Sequence, residues 1–137
     1  MIRYVSTLVL ILLACTVQAQ EVFQVNDLSY SGSEEIHVTP LTSDKNASSY
    51  MIWIKTGVKA HFHATHTEYV HILEGEGIMF LGTEEKEVKA GDLIAIPSNT
   101  VHSVEVTSAT PMKVISIQTP EFKGQDRVFV RPYMKKD

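Results

Sequence analysis

The stretch HFHATHTEYVHILEGEG, residues 61–77, holds four histidines and three glutamates in seventeen positions. The whole chain has only six histidines, so this density needs a reason. In an extended strand, residues i and i+2 share a face. His61 and His63 therefore project together, with Phe62 pointing the other way. Ala64-Thr65-His66-Thr67 is polar and short enough for a hairpin turn, and a second strand follows from Glu68. On that strand Glu68, Val70 and Ile72 share one face, and Tyr69, His71 and Leu73 the other. With Glu68 inward, its face is otherwise apolar. A carboxylate and two imidazoles on such a face are costly unless something compensates them, and a divalent cation does so directly. His66 shares the parity of Glu68 and is the alternative ligand if the turn is tighter. His71 belongs on the outer surface or an interface, and His37, in EEIHV, is an isolated strand histidine.

On either side of this stretch the chain has the same texture. No segment after Gln20 sustains a 3.6-residue period. Short apolar runs alternate with turn signals instead: IHV before Pro40, YMIWIK before Gly57, GIMFL before Gly82, then KEVKAGD, LIAIP, VHSVEV, KVISI before Pro120, and RVFVRP. About ten such runs, mostly eight to twelve residues apart, predict an all-β sandwich or barrel. Leu41 to Ser49, LTSDKNASS, reads as a polar surface loop. Within it, Asn46-Ala47-Ser48 is a glycosylation sequon, of consequence only in a eukaryote.

The bulk properties set limits on this reading. The 137 residues suffice for one domain, expected over residues 20–137, and no repeat or low-complexity segment breaks it. Apolar residues make up 44% and charged residues 20%, an ordinary globular balance. A net charge of −4 argues against a nucleic-acid partner, because no basic face is available to neutralise phosphates.

Residues 1–19, MIRYVSTLVLILLACTVQA, have the layout of a secretory signal peptide: Arg3, an apolar core from Val5 to Leu13, and a small-residue exit at Val17-Gln18-Ala19. That core is too short for a lasting transmembrane anchor, so the mature chain is expected to be exported, periplasmic or secreted, with no transmembrane segment. The alternative cut lies at Leu12 to Cys15, LLAC, which resembles a bacterial lipoprotein box and would make Cys15 the lipidated first residue. Cys15 is the only cysteine, so no intramolecular disulfide is possible. The core, a partner subunit or a metal must hold the mature chain together, and a homodimer is expected.

A second segment, GDLIAIPSNTVHSVEV, supplies His102 after a Pro97-Ser98-Asn99 turn. Periodicity alone does not bring His102 to the other three residues. Together, however, the two segments resemble the paired motifs of the cupin superfamily. The first motif is His, one residue, His, three or four residues, Glu, six residues, Gly; it reads here His61, His63, Glu68, Gly75. The second is Gly, five residues, Pro, one residue, Gly, two residues, His, three residues, Asn; it reads here Gly91, Pro97, Asn99 in place of Gly, His102, and Val106 in place of Asn. Fifteen residues separate Gly75 from Gly91, close to the shortest spacing in that family. Gly57 stands three residues before His61 where five are usual, so the motifs span residues 57–106. Asn tolerates positive φ, so the turn at Asn99 survives.

The resemblance implies a double-stranded β-helix, the jelly-roll or cupin barrel, with one divalent metal held by His61, His63, Glu68 and His102. Four protein ligands would fill a tetrahedral zinc, whereas an octahedral ion keeps two positions open. Iron(II) (Fe2+) or manganese(II) (Mn2+) is therefore favoured, with nickel (Ni2+) or zinc (Zn2+) as lesser options. The expected partner is a small acid or sugar-derived molecule. The first expectation is a dioxygenase-type oxidoreductase; a cupin lyase, isomerase or decarboxylase, or a non-catalytic binding module, is the alternative. A tyrosine, lysine or second acid beside the metal would discriminate between them, but the faces of Tyr50, Trp53 and Lys55 are not legible.

Overall fold

The computed structural model describes residues 20–130; the readings of residues 1–19 as a signal peptide and of Cys15 as a lipidation site lie outside them. Among the described residues ten strands follow one another: β1 Ile36–Ser43, β2 Ser48–Ile54, β3 Gly57–His63, β4 Thr67–Glu74, β5 Glu76–Leu81, β6 Glu84–Lys89, β7 Leu93–Ile96, β8 His102–Val106, β9 Met112–Thr119 and β10 Arg127–Phe129. They form two antiparallel sheets of five, ordered β1-β2-β9-β4-β7 and β10-β3-β8-β5-β6. This is the all-β double-stranded β-helix. Among the described residues no helix is long and apolar enough to cross a membrane.

The sheets face each other because each strand alternates. In β9 Met112, Val114, Ser116 and Gln118 are all buried, whereas Ile117 is exposed. Ile54, Ile72, Met79, Val88, Ile94, Ile96, Met112 and Val114 make up the shared core. On the outer face of the first sheet, Tyr69, Leu93 and Ile117 are exposed, with His71 half-buried among them. Also on that face, Tyr30 stacks on His37 at 3.9 Å and lies 6.0 Å from Trp53, closing the segment before β1 over the tryptophan.

Two expectations change. Ala64 to Thr67 is not a hairpin turn: β3 pairs with β8 and β10 in one sheet, and β4 with β7 and β9 in the other. The turn is a corner by which the chain crosses between sheets, so His63 and Glu68 approach from opposite walls. A short polar link looks the same in sequence whether its strands pair or part. The loop expected over Leu41 to Ser49 shrinks to residues 44–47, because β1 runs on through Pro40 to Ser43 and β2 begins at Ser48. Pro40 is tolerated since β1 is an edge strand, and a register shift follows it.

Candidate metal centre

The four residues enter the barrel from three strands. His61 and His63 lie on β3, with Phe62 turned outward, and the Cα of His61 pairs with that of His102 on β8. Glu68 faces them from β4 on the opposite sheet. The two corners that deliver them are tied together. Asn99 donates its backbone N–H to the His63 carbonyl at 2.7 Å and its side-chain amide to the Ala64 carbonyl at 3.2 Å. Its φ of 61° is the left-handed conformation that the turn requires and that asparagine accepts.

His61, His63, Glu68 and His102 are all buried, and one donor atom from each lies within 4.8 Å of the others. The outer nitrogen of each imidazole is fixed. Nδ1 of His61 donates to the Lys59 carbonyl at 2.8 Å, Nδ1 of His102 to the Thr100 carbonyl at 2.9 Å, and Nδ1 of His63 to Asp126 Oδ1 at 3.3 Å. A ring nitrogen facing such an acceptor carries the hydrogen, so Nε2 of each neutral ring is left with a lone pair. Nε2 of His63 and of His102 are buried with no hydrogen-bond partner among the described residues. They lie 3.6 Å and 3.3 Å from Glu68 Oε2.

Lone pairs aimed at a carboxylate oxygen repel unless a cation lies among them. Two donors about 2.1 Å from one ion, at right to tetrahedral angles, are about 3.0–3.4 Å apart, close to the spacing found. The residues present therefore fit a divalent ion. The second carboxylate oxygen is spoken for: Ser116 Oγ donates to Glu68 Oε1 at 2.5 Å and Gln118 Nε2 at 3.3 Å. Burial opposes the charge on Glu68, yet its carboxyl is held well below the usual carboxylate range; the Ser116 hydroxyl donates to it, and a cation among the facing Nε2 lone pairs would act in the same direction. Burial also pushes His61 down to about 4, against the pull of the Lys59 carbonyl, which keeps the ring neutral and ready to ligate.

His66 is buried as well, but its nitrogens are engaged outside this group of four: Nε2 with the Glu121 carbonyl at 2.7 Å, and Nδ1 with Asp126. Both neighbours accept, so both nitrogens carry hydrogen and the ring is an imidazolium. Burial works against that charge, but the Glu121 carbonyl and the Asp126 carboxylate raise its pKa above the ordinary value. Asp126 thus bridges His66 and His63, and it also accepts from the Thr65 backbone and hydroxyl at 3.0 and 2.9 Å. Phe122 completes this side, its ring 5.4 Å from both His63 and His66. Ser116, Gln118, Phe122 and Asp126 escaped the sequence reading. The first two had a signal: polar residues on the inward parity of an otherwise apolar strand, MKVISIQT.

Below the cluster a cavity of about 90 Å³ runs between the sheets, walled by residues such as Ile54, Ile72, Met79, Met112 and Val114. Its polar lining is His61, Glu68, His102, Ser103 and Arg127. Tyr50 instead donates to the Phe122 carbonyl at 3.3 Å, Lys55 to the Gly32 carbonyl at 2.9 Å, and Trp53 sits on the outer face beneath Tyr30. No tyrosine, lysine or second acid is among the cavity's lining residues.

A jelly roll that gathers three imidazoles and one carboxylate on its inner face is a barrel that could hold a single ion. Residues 50–118 match the family described as Cupin domain, a span that contains all four residues, and the chain belongs to that family. It is 36% identical over 97 residues to an uncharacterized protein of Aquifex aeolicus, covering 71% of this chain and 79% of that one. It is 40% identical over 48 residues to quercetin 2,3-dioxygenase of Bacillus subtilis, 35% of this chain but 14% of the enzyme. Among solved structures, a nucleoside dehydratase from Streptomyces superposes with a TM-score of 0.66 at 22% identity, over 84% of this chain and 100% of that one. That likeness speaks for the fold alone.

Proposed function

We propose that this chain is a metal-dependent cupin enzyme of the dioxygenase type, acting on a small acid or sugar-derived molecule. The reading rests on one observation: buried, unpartnered imidazole lone pairs converge with a carboxylate oxygen at the end of an apolar cavity. His61, His63, Glu68 and His102 would hold the ion, with iron(II) or manganese(II) favoured. Such an ion supplies Lewis acidity and, for these two metals, the redox chemistry of dioxygen. The chain's own contribution is positional. Ser116 and Gln118 fix one carboxylate oxygen of Glu68, the Lys59 and Thr100 carbonyls fix two of the rings, and the aliphatic wall keeps water away from the reacting centre. The resemblance to quercetin 2,3-dioxygenase supports an oxidation as the class of reaction.

The lining contains no side chain outside the cluster that is suited to general acid–base work. That favours reactions in which the metal does most of the activation, and it equally keeps a binding module as the second reading. An oxygen electrode separates the two. Iron(II)-loaded protein should consume dioxygen with a cognate small hydroxy- or oxo-acid and lose this activity when zinc(II) replaces iron. Full turnover under strict anaerobiosis would move the protein to the lyase, isomerase or decarboxylase classes. Tight binding without product would make it a binding module. Export through residues 1–19 is proposed with it; mass spectrometry of protein from the native host should find a chain beginning at Gln20 or a lipidated Cys15, and an intact Met1 would contradict both.

A further inference from the structure

The cavity carries one charged side chain that the metal reading leaves unused. Arg127 opens β10 in register with His63, and Phe129 pairs with His61. Strand parity therefore turns Arg127 and Phe129 to the face of the two histidines. The Phe129 ring lies 5.8 Å from that of His61, and Arg127 lines the cavity together with His61, Glu68 and His102. Its guanidinium lies over Phe122, 5.8 Å from the ring centroid. Phe122 is in turn wedged against His63 and His66. An aromatic ring thus positions this cation where an acid commonly would. Nearby acids are committed elsewhere: Asp126 to His66, His63 and Thr65, Glu121 to Lys123, and Glu68 to the cluster. No carboxylate among the described residues forms an ion pair with Arg127.

A divalent ion with one carboxylate leaves one positive charge, and Arg127 adds a second, while His66 and Asp126 cancel. Arg127 is exposed at the rim, so water carries part of its charge, but two like charges at one end of an apolar cavity still draw an anion to the space between them. The cavity is about 90 Å³, well below the roughly 300–1,000 Å³ of pockets that take drug-sized ligands. Its walls are aliphatic. We propose that Arg127 is the carboxylate-recognition residue of this site, and that the substrate is a small monocarboxylic acid with an apolar body. The carboxylate lies against the guanidinium fork, which matches it in two parallel hydrogen bonds, and the body occupies the space between the sheets. This assignment rests on the metal reading given above and names its substrate class.

Calorimetric titration tests it, using manganese(II)-loaded and metal-stripped protein. The probes are isobutyrate, 2-hydroxyisobutyrate and 2-oxoisovalerate, with isobutyramide as the uncharged match and methyl phosphate as a competing anion. The acids should bind loaded wild type at least about 10-fold more tightly than the amide. Arg127→Gln should weaken them roughly 10–100-fold and Arg127→Lys less, both with unchanged manganese content. The proposal is overturned if no acid binds loaded wild type, if acid and amide bind alike, if methyl phosphate binds more tightly than the acids, or if Arg127→Gln binds the acids as wild type does. The two readings fail separately. Protein that takes up no manganese yet binds acids through Arg127 keeps this proposal and loses the metal. Protein that loads manganese but is indifferent to Arg127→Gln does the reverse.

Discussion

At Glu68 the two carboxylate oxygens have different neighbours: Ser116 and Gln118 hold one, and the other faces the Nε2 atoms of His63 and His102. Deleting a supporting hydroxyl is therefore different from deleting a ligand. Ser116→Ala should lower manganese(II) affinity about 10–100-fold. Glu68→Ala and His102→Ala should each cost more than that, and His71→Ala, on the outer face, should cost nothing. Competition titration against a chelating dye reads all four, and equal effects of Ser116→Ala and His71→Ala would refute the division of labour at Glu68. His61 sets a pH dependence. Its pKa is depressed from 6.5 to about 4 by burial, so its contribution to stability is complete above pH 6.5 and is lost as pH falls toward 4. Urea unfolding of metal-stripped protein should lose about 1.4 kcal/mol per pH unit within that window. In His61→Gln this part of the slope should vanish; an unchanged slope would place the titration elsewhere. Much of this scale was legible, because His61, His63 and Glu68 announce themselves as polar residues on inward parity. Asp126 was not. It sits in GQDR, outside any alternating run, and only the fold brings it to His63.

At the scale of elements, the segment from Glu121 to Phe129 acts as a strap across the wall of the site. The contacts that fasten it include the Glu121 carbonyl on His66, Phe122 between the two rings, Asp126 on His63, His66 and Thr65, and β10 along β3. Asp126→Asn removes the charge that balances the His66 imidazolium and weakens the hold on His63. Manganese(II) affinity should fall about 10–100-fold although Asp126 is not one of the four residues, and amide exchange should quicken in residues 121–130. A variant with unchanged exchange and affinity would mean that the Asp126 carboxylate does not fasten the strap. RVF was legible as a strand; its partner was not, since alternation reports burial and is silent on which neighbour a strand chooses. The link from His63 to Thr67 shows the same limit. Its length suits a hairpin, yet the chain uses it to change sheets. That change puts the glutamate on the wall opposite the histidines.

For the molecule as a whole, two five-stranded sheets close over an aliphatic core and spend their polar inward positions at one end. The class of fold was readable from short alternating runs and turn residues, and the paired motifs named the barrel. Its sheet order was not readable, because β9 pairs with β2 and β4, both of them at least 38 residues earlier in the chain. The central claim is that this end of the barrel holds one divalent ion. Protein purified without added metal, then titrated calorimetrically with manganese(II) while elemental analysis tracks content, tests it most directly. Saturation is expected at about one ion per chain, with the site lost in a His61→Ala, His102→Ala double variant that keeps its β-sheet circular dichroism. No metal on purification and no uptake on titration, or uptake unchanged in the double variant, would contradict it.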